Sequence, residues 1–387
     1  MDWIVTENIY QESWRRILEF ANIDLAIDEI AKVHGKPTTK GMKSNYKKQA
    51  KQVRVSVLQA KEFFDAAAAS SIFTSANHIY YGMISLATAI MLIRGDGTKS
   101  LDVLRRDSSN NHHGLDFSTG CTLSRAGSNI ELLKTSYVKI LKRGHFFNWY
   151  STLPTREELP HYLTTQTEGT TSTHRGYYGG YTTANMNELA GRKLTCLELL
   201  KYLPDLHGHL LRCGIKLSTS RMTHTETRGA DGNTKHVWIL HGAGSKKSLD
   251  DLLEFFKIES SYIDSIDAKI DDEANGALIT VHIKNNQVFY FCWPSTREKI
   301  DNEVLAYAHE INTSEFVDSY LISYQLSMLS RYYPDLWISC LESQCRAAKL
   351  IEATIDTLRN KVPMLALSKL RSENIIISNH RPPWIGM

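Results

Sequence analysis

The 387-residue chain has little of what most readily announces an activity. Its six cysteines, Cys121, Cys196, Cys213, Cys292, Cys340 and Cys345, form no CxxC pair. Several sit in apolar helix or strand patterns, so reduced, buried thiols are expected, and neither a disulfide framework nor a zinc site. Charge of either sign is not in excess: 45 Lys and Arg against 42 Asp and Glu leave +3. That excludes a global basic field for nucleic acid and leaves only a local patch open. No long pure apolar run occurs. Ile79–Ile93 includes Tyr, Gly, Ser and Thr and reads as a core helix instead of a membrane span. The opening MDWIVTENIYQESWRR carries acidic residues and no apolar leader segment, so a cytoplasmic protein without a membrane partner is expected. GxSxG, HExxH and Cys–His signatures are missing.

What is present centres on Asn77–Phe117. NHIYYGMISLATAIMLIRG gives one apolar stripe through Ile79, Met83, Leu86, Ile90 and Ile93. A second runs through Tyr80, Ile84, Ala87 and Met91. A helix apolar on two sides is buried among neighbours. Gly82 weakens it, which points to a close backbone approach there. A polar connection and the turn NHHGLDF follow.

Before this stretch, residues 9–34 read as two short helices broken near Asn22, followed by a basic linker to about Ser44. A long amphipathic helix is predicted over 45–69, with Val53, Val57, Ala60, Phe64 and Ala67 on one stripe. Lys47, Lys48, Lys51 and Arg54 crowd its first half, as a solvated face or a phosphate-facing patch.

After it the character is mixed. Strands are predicted within 130–141, helix over 194–211, and a mobile loop over the Thr-, Gly- and Tyr-rich 163–190. Hairpin signals fall at RGADGN and at Asn285-Asn286, with a helix over 248–257 and a strand near 303–309. From Val317 the pattern is helical again. Tyr332-Tyr333-Pro334 breaks one helix and starts a long one through Trp337, Leu341, Ala348, Ile351, Ile355 and Leu358, which Pro363 is expected to end. The fold class is therefore α+β: a mainly helical bundle built from both chain ends, with an inserted strand-containing region. The expected divisions are 1–44, 45–118, 119–310 (the insertion), 311–372 and a tail, 373–387.

Some motifs invite ligands. HGAGSKKS (241–248) stands where a phosphate loop would but lacks the Gly before Lys. His207-Gly208-His209 has metal-like spacing without a Cys or acidic companion, so no metal and no cofactor are expected. Arg175, Tyr177 and Tyr178 interleave cation and aromatics, either to stack on single-stranded bases or as plain surface.

VLQAKEFFDAA (57–67), IYYGMISLATAIML (79–92) and HHGLDF (112–117) resemble, in order and spacing, segments of the YaaC-like proteins. So do CLELLKYLPDL (196–206), LSMLSRYYPDLW (326–337) and KVPMLALSKL (361–370). More distantly, the helical core is similar to the HEPN superfamily. That resemblance implies a small, often dimeric helical bundle. Many members are metal-independent endoribonucleases with an Arg-x(4–6)-His motif, and others only bind partners. It also implies a toxin or antiviral-defence setting.

Such an enzyme needs His to move a proton between the ribose 2′-hydroxyl and phosphate, and Arg to stabilise the phosphorane. Arg106 precedes His112 and His113 at matching spacing, and Arg156 precedes His161. Arg331 would reach the His turn if the two helical ends pack together. His113 and His112, with Arg106 or Arg331, are thus the candidate catalytic groups, and RNA the candidate partner. The rival is a non-catalytic interaction module that dimerises or docks a partner protein, its YYG and HHGL motifs serving packing.

Overall fold

The computed structural model describes residues 2–95, 100–106, 112–154, 156–164, 174–182, 184–215, 219–228, 234–241, 263–271, 276–283, 299–300, 303–307, 313–371 and 375–378. They fall into two compact units. The first takes Met1–Leu153, Asn185–Lys216 and Glu315–Pro383; the second takes most of the rest, Pro154–Ala184 and Leu217–Ser314.

In chain order the first unit opens with β1 (Asp2–Val5), α1 (Ile9–Leu18), α2 (Ile23–His34), α3 (Lys40–Ala69), α4 (Ile72–Arg94) and α5 (Leu101–Arg106). Then come β2 (Leu115–Thr119), α6 (Leu123–Ala126), α7 (Glu131–Thr135), β3 (Ser136–Ile140) and α8 (His145–Tyr150). The second unit begins with the antiparallel hairpin β4 (Arg156–Thr164) and β5 (His174–Thr182). The chain returns to the first unit with α9 (Met186–Leu189), β6 (Lys193–Thr195), α10 (Cys196–Leu200) and α11 (His207–Arg212). Six more strands belong to the second unit: β7 (Thr219–Arg228), β8 (Thr234–His241), β9 (Ile263–Asp271), β10 (Gly276–Ile283), β11 (Lys299–Ile300) and β12 (Glu303–Tyr307). They form one sheet in the order β11-β12-β7-β8-β10-β9. The first unit closes with α12 (Glu315–Tyr332), α13 (Pro334–Glu342), α14 (Arg346–Arg371) and β13 (Ile375–Ser378).

The two chain ends do pack together. β1 pairs with β13 in parallel. The axis is α4, against which α3, α12 and α14 all lie. Fourteen of its residues are buried, as its double apolar stripe requires. It is long and apolar enough to cross a membrane, yet 78% of its most apolar window is buried inside the protein. Polar side chains lock the register with α12: Asn77 Nδ2 donates to Ser330 Oγ (3.1 Å), and Ser327 Oγ donates to Asn77 Oδ1 (3.0 Å). A small antiparallel sheet, β2-β3-β6, completes this unit.

Gly82 has the role its place in an apolar helix suggested. A Cβ there would lie 2.6 Å from the Phe64 ring, so only glycine admits α3 this closely. The N-terminal helices end and restart at Asn22, whose side chain caps α2.

Several expectations need correcting. Of the expected 163–190 loop, 163–164 and 174–182 lie in the paired strands β4 and β5 and 186–189 form α9, while 165–173 and 183 lie outside the described residues. Backbone pairing forms β5 from the Gly- and Tyr-rich 174–182, which side-chain periodicity could not reveal. The linker to Ser44 is shorter, since Thr39 caps α3 at Lys40. Residues 131–135 are helical and only 136–140 form a strand. The 194–211 helix is three pieces, interrupted around Pro204. The last long helix is two, parted at 343–345. Pro363 does not end α14, which runs on to Arg371. Burial of Val362, Pro363, Ala366, Leu367 and Leu370 offsets the cost of about 3 kcal/mol that an interior proline carries. The expected 248–257 helix, the loop after His241 and the Asn285-Asn286 turn lie outside the described residues.

Candidate functional site

Tyr80-Tyr81-Gly82 sits in mid-α4. Tyr80 points into the core and is fully buried. Tyr81 is half-buried and stacks on Phe63 of α3, centroids 5.5 Å apart. The close approach at Gly82 brings α3 near enough for that stacking.

The His-His-Gly turn is held against the start of α8. His145 N–H donates to the His112 carbonyl and Phe146 N–H to the His113 carbonyl, both at 2.9 Å. Leu141 N–H donates to the Gly114 carbonyl at 3.0 Å. Gly114 (φ +79°) and Gly144 (φ +102°) meet so closely that a Cβ on Gly144 would lie 2.6 Å from Gly114 Cα. Glycine is required on both sides of this contact, by conformation and by space. His112 is exposed, and its Nδ1 accepts the Gly114 N–H (3.1 Å), so it braces its own turn. His113 turns inward: its Nδ1 is 2.9 Å from the Tyr80 hydroxyl, and its ring lies 5.9 Å from that of Tyr324.

Arg331 reaches the same place from the last turn of α12. Its Nη1 donates to the Tyr81 hydroxyl (2.7 Å) and its Nε to the Ser327 carbonyl (3.4 Å). The guanidinium lies 6.0, 5.4 and 5.0 Å from the ring centroids of Tyr80, Tyr81 and Tyr332. Among the described residues no carboxylate pairs with it. A half-buried guanidinium held by rings and hydroxyls keeps donors for an incoming anion.

Behind His113 runs a chain of polar groups. Thr88 Oγ1 donates to the Ile84 carbonyl (2.8 Å), so it accepts from His145 Nε2 at 2.9 Å. His145 Nδ1 then accepts from the Tyr320 hydroxyl at 3.1 Å. The Tyr80 and Tyr320 rings meet edge to face, centroids 5.9 Å apart, and the Tyr80 hydroxyl is 2.9 Å from His113 Nδ1. In the tautomer protonated on Nδ1, His113 donates to Tyr80 and keeps its lone pair on Nε2. That nitrogen has no protein partner among the described residues.

Electrostatics agree with a neutral His113. Burial lowers its pKa, and the charge of Arg331 and then His112 lower it further. His145 is pushed from 6.5 to about 4, first by burial and then by His113. Burial raises the Tyr80 hydroxyl well above its usual range.

The other candidates lie elsewhere. Arg106 is exposed at the end of α5. Lys47, Lys48, Lys51 and Arg54 are exposed on α3, where Lys48 is paired with Asp102. Arg175, Tyr177 and Tyr178 stand on β5 opposite Leu163, His161 and Pro160, in the second unit. Arg156 and His161 are on strand β4, a presentation unlike a helical Arg–His motif. His207 Nε2 lies 3.2 Å from the Lys201 carbonyl, and no group of three metal-ligating side chains occurs among the described residues. Sequence reasoning passed over Tyr320, Tyr324, Thr88 and His145. Tyr320 and Tyr324, four apart on one helix, carried a signal; His145 carried none.

The model of one protein family, the YaaC-like proteins, matches residues 30–370. The chain belongs to the YaaC-like family. No curated protein and no solved structure matches it. The matched span of this YaaC-like chain includes the His turn, the α4 tyrosines and Arg331.

Proposed function

We propose that this YaaC-like protein binds RNA and cleaves it without a metal, at a site made by His113 and Arg331. One observation carries the reading: a neutral His113 and an Arg331 without a carboxylate partner, from opposite ends of the chain, both border Tyr80. His113 Nε2 takes the proton of a ribose 2′-hydroxyl. The alkoxide attacks the adjacent phosphorus, and Arg331 stabilises the pentacoordinate charge. The leaving 5′-oxygen takes a proton from water, a 2′,3′-cyclic phosphate remains, and the His113 imidazolium returns its proton to the hydroxide so formed. This chemistry already supplies a base and a cation, so a metal is not required for it. A toxin or antiviral-defence role, implied by the HEPN resemblance, belongs to the same proposal.

A second reading, an interaction module that dimerises or docks a partner protein, has its own support. Val55 and Leu58, one turn apart on α3, are 63% and 41% exposed.

The test is RNA cleavage in EDTA by wild-type protein, His113→Ala and Arg331→Met, with melting temperatures compared. Wild-type cleavage to a cyclic phosphate, reduced about 100-fold or more in each folded variant, is expected. Absence of cleavage together with a Val55- and Leu58-dependent oligomer would establish the second reading instead.

A further inference from the structure

The corner between α13 and α14 holds a pair of thiols unrelated to the Tyr80 site. Cys340, on the last turns of α13, is completely buried. The chain then turns through Gln344, whose φ of +51° is left-handed. Cys345 is thereby folded back over Cys340, and the two Sγ atoms lie 3.8 Å apart. That is sulfur–sulfur van der Waals contact, with about 2 Å still to close before a disulfide bond forms.

The two thiols are not equivalent. Cys345 is half-exposed and occupies the N-cap of α14, a helix of 26 residues. Its carbonyl accepts the first helical hydrogen bond, from Lys349 N–H. Burial disfavours its thiolate, but the Ser343 hydroxyl, the Ala348 N–H, the Cys340 thiol and the Ala347 N–H outweigh it, and its pKa is lowered. Helix N–H groups stabilise an anion at this position. Cys340 is the opposite case: burial first, and then Cys345, raise its pKa. A half-exposed sulfur whose pKa is lowered thus sits on a buried one whose pKa is raised.

We propose that Cys345 and Cys340 are a peroxide-responsive dithiol, with Cys345 the attacking sulfur and Cys340 the resolving one. The Cys345 thiolate attacks one oxygen of a hydroperoxide, the O–O bond breaks, and the departing oxide takes a proton to leave as water or alcohol. Cys345 becomes a sulfenic acid. The Cys340 sulfur loses its proton and attacks the Cys345 sulfur; the S–O bond breaks and hydroxide takes that proton as water. Two thiols lose two electrons in all, and one peroxide bond is reduced. The product is a short-range disulfide that staples the α13–α14 corner.

The sequence provides a convenient readout. Trypsin releases Tyr332–Arg346, which contains both cysteines and no other. Full-length reduced protein is treated with hydrogen peroxide at neutral pH, alkylated and digested. The expected product is this peptide lacking two hydrogens and refractory to alkylation. In Cys340→Ser, a 1,3-dicarbonyl reagent should capture a sulfenic acid on Cys345; in Cys345→Ser, Cys340 should stay reduced. Wild-type protein without peroxide gives a measurement independent of any variant. Iodoacetamide should modify Cys345 at least about tenfold faster than Cys121, which is also half-exposed but has a raised pKa. The assignment is overturned if both thiols of the peptide remain alkylatable, if Cys345 pairs with the neighbouring Cys213 or with a second chain, or if Cys121 reacts as fast.

Discussion

One ring nitrogen of His113 is already engaged within the protein. Its Nδ1 faces the Tyr80 hydroxyl at 2.9 Å, and its Nε2 has no protein partner among the described residues. Arg331 acts on the same imidazole at a distance. Burial, then Arg331, then His112 hold the His113 pKa below its usual value. Replacing Arg331 with Met removes one of these causes, so the His113 titration should move to higher pH. If His113 is the base, the acid limb of kcat/KM should move the same way. An NMR titration of the His113 ring protons reads the first effect with no substrate present. A midpoint unmoved by Arg331→Met would remove the electrostatic link between the two residues.

At the scale of elements, the decisive contact is α3 against α4. Phe64 fills the space that a side chain at position 82 would need, and it is itself wedged against Trp14, ring centroids 5.2 Å apart. Gly82→Ala gains about 1 kcal/mol of helix propensity. It must also displace a buried ring with nowhere to go, an overpacking cost of about 1–3 kcal/mol. We expect net destabilisation, with Phe63 and Tyr81 pushed apart. Chemical denaturation at unchanged m-value checks it, and a variant as stable as wild type would mean the helices can separate freely. Much at this scale was legible in the chain. The double stripe of α4, the Asn22 break and the glycine at the crossing follow from 3.6-residue periodicity and the lack of a Cβ. Pro363 was not, because a proline's local cost says nothing of the apolar area its helix buries. Nor was the β4–β5 pairing, because ladder hydrogen bonds use the backbone and leave no mark on the Gly- and Tyr-rich composition of β5.

For the whole molecule, a buried neutral histidine couples folding to pH. His145 titrates near 4 in the folded protein and near 6.5 when unfolded. Below 6.5 the unfolded chain binds a proton that the folded one refuses, so stability is fully present above that pH and is lost as pH falls toward 4. The contribution is on the order of 3 kcal/mol. His145→Gln should therefore be less stable than wild type at pH 7, with the gap narrowing steadily down to pH 4. A constant difference in melting temperature across that range would show that His145 is not the coupled group.

The sequence by itself determined the main helices of the bundle and the faces they bury. A helix apolar on two faces must be surrounded, and two helical ends flanking a strand-rich middle must supply the surround. It also supplied the family, through motifs whose order and spacing survive without any contact being known. Only tertiary structure decided the candidate sites. It placed Arg331, and not a nearer arginine, beside Tyr80 and His113. It put His145 behind Tyr320, and folded Cys345 onto Cys340. The reason is physical: periodicity records which face of an element is apolar, whereas a site depends on which polar groups converge when those faces close. Convergence between residues far apart in the chain is set by packing, and no local pattern encodes it.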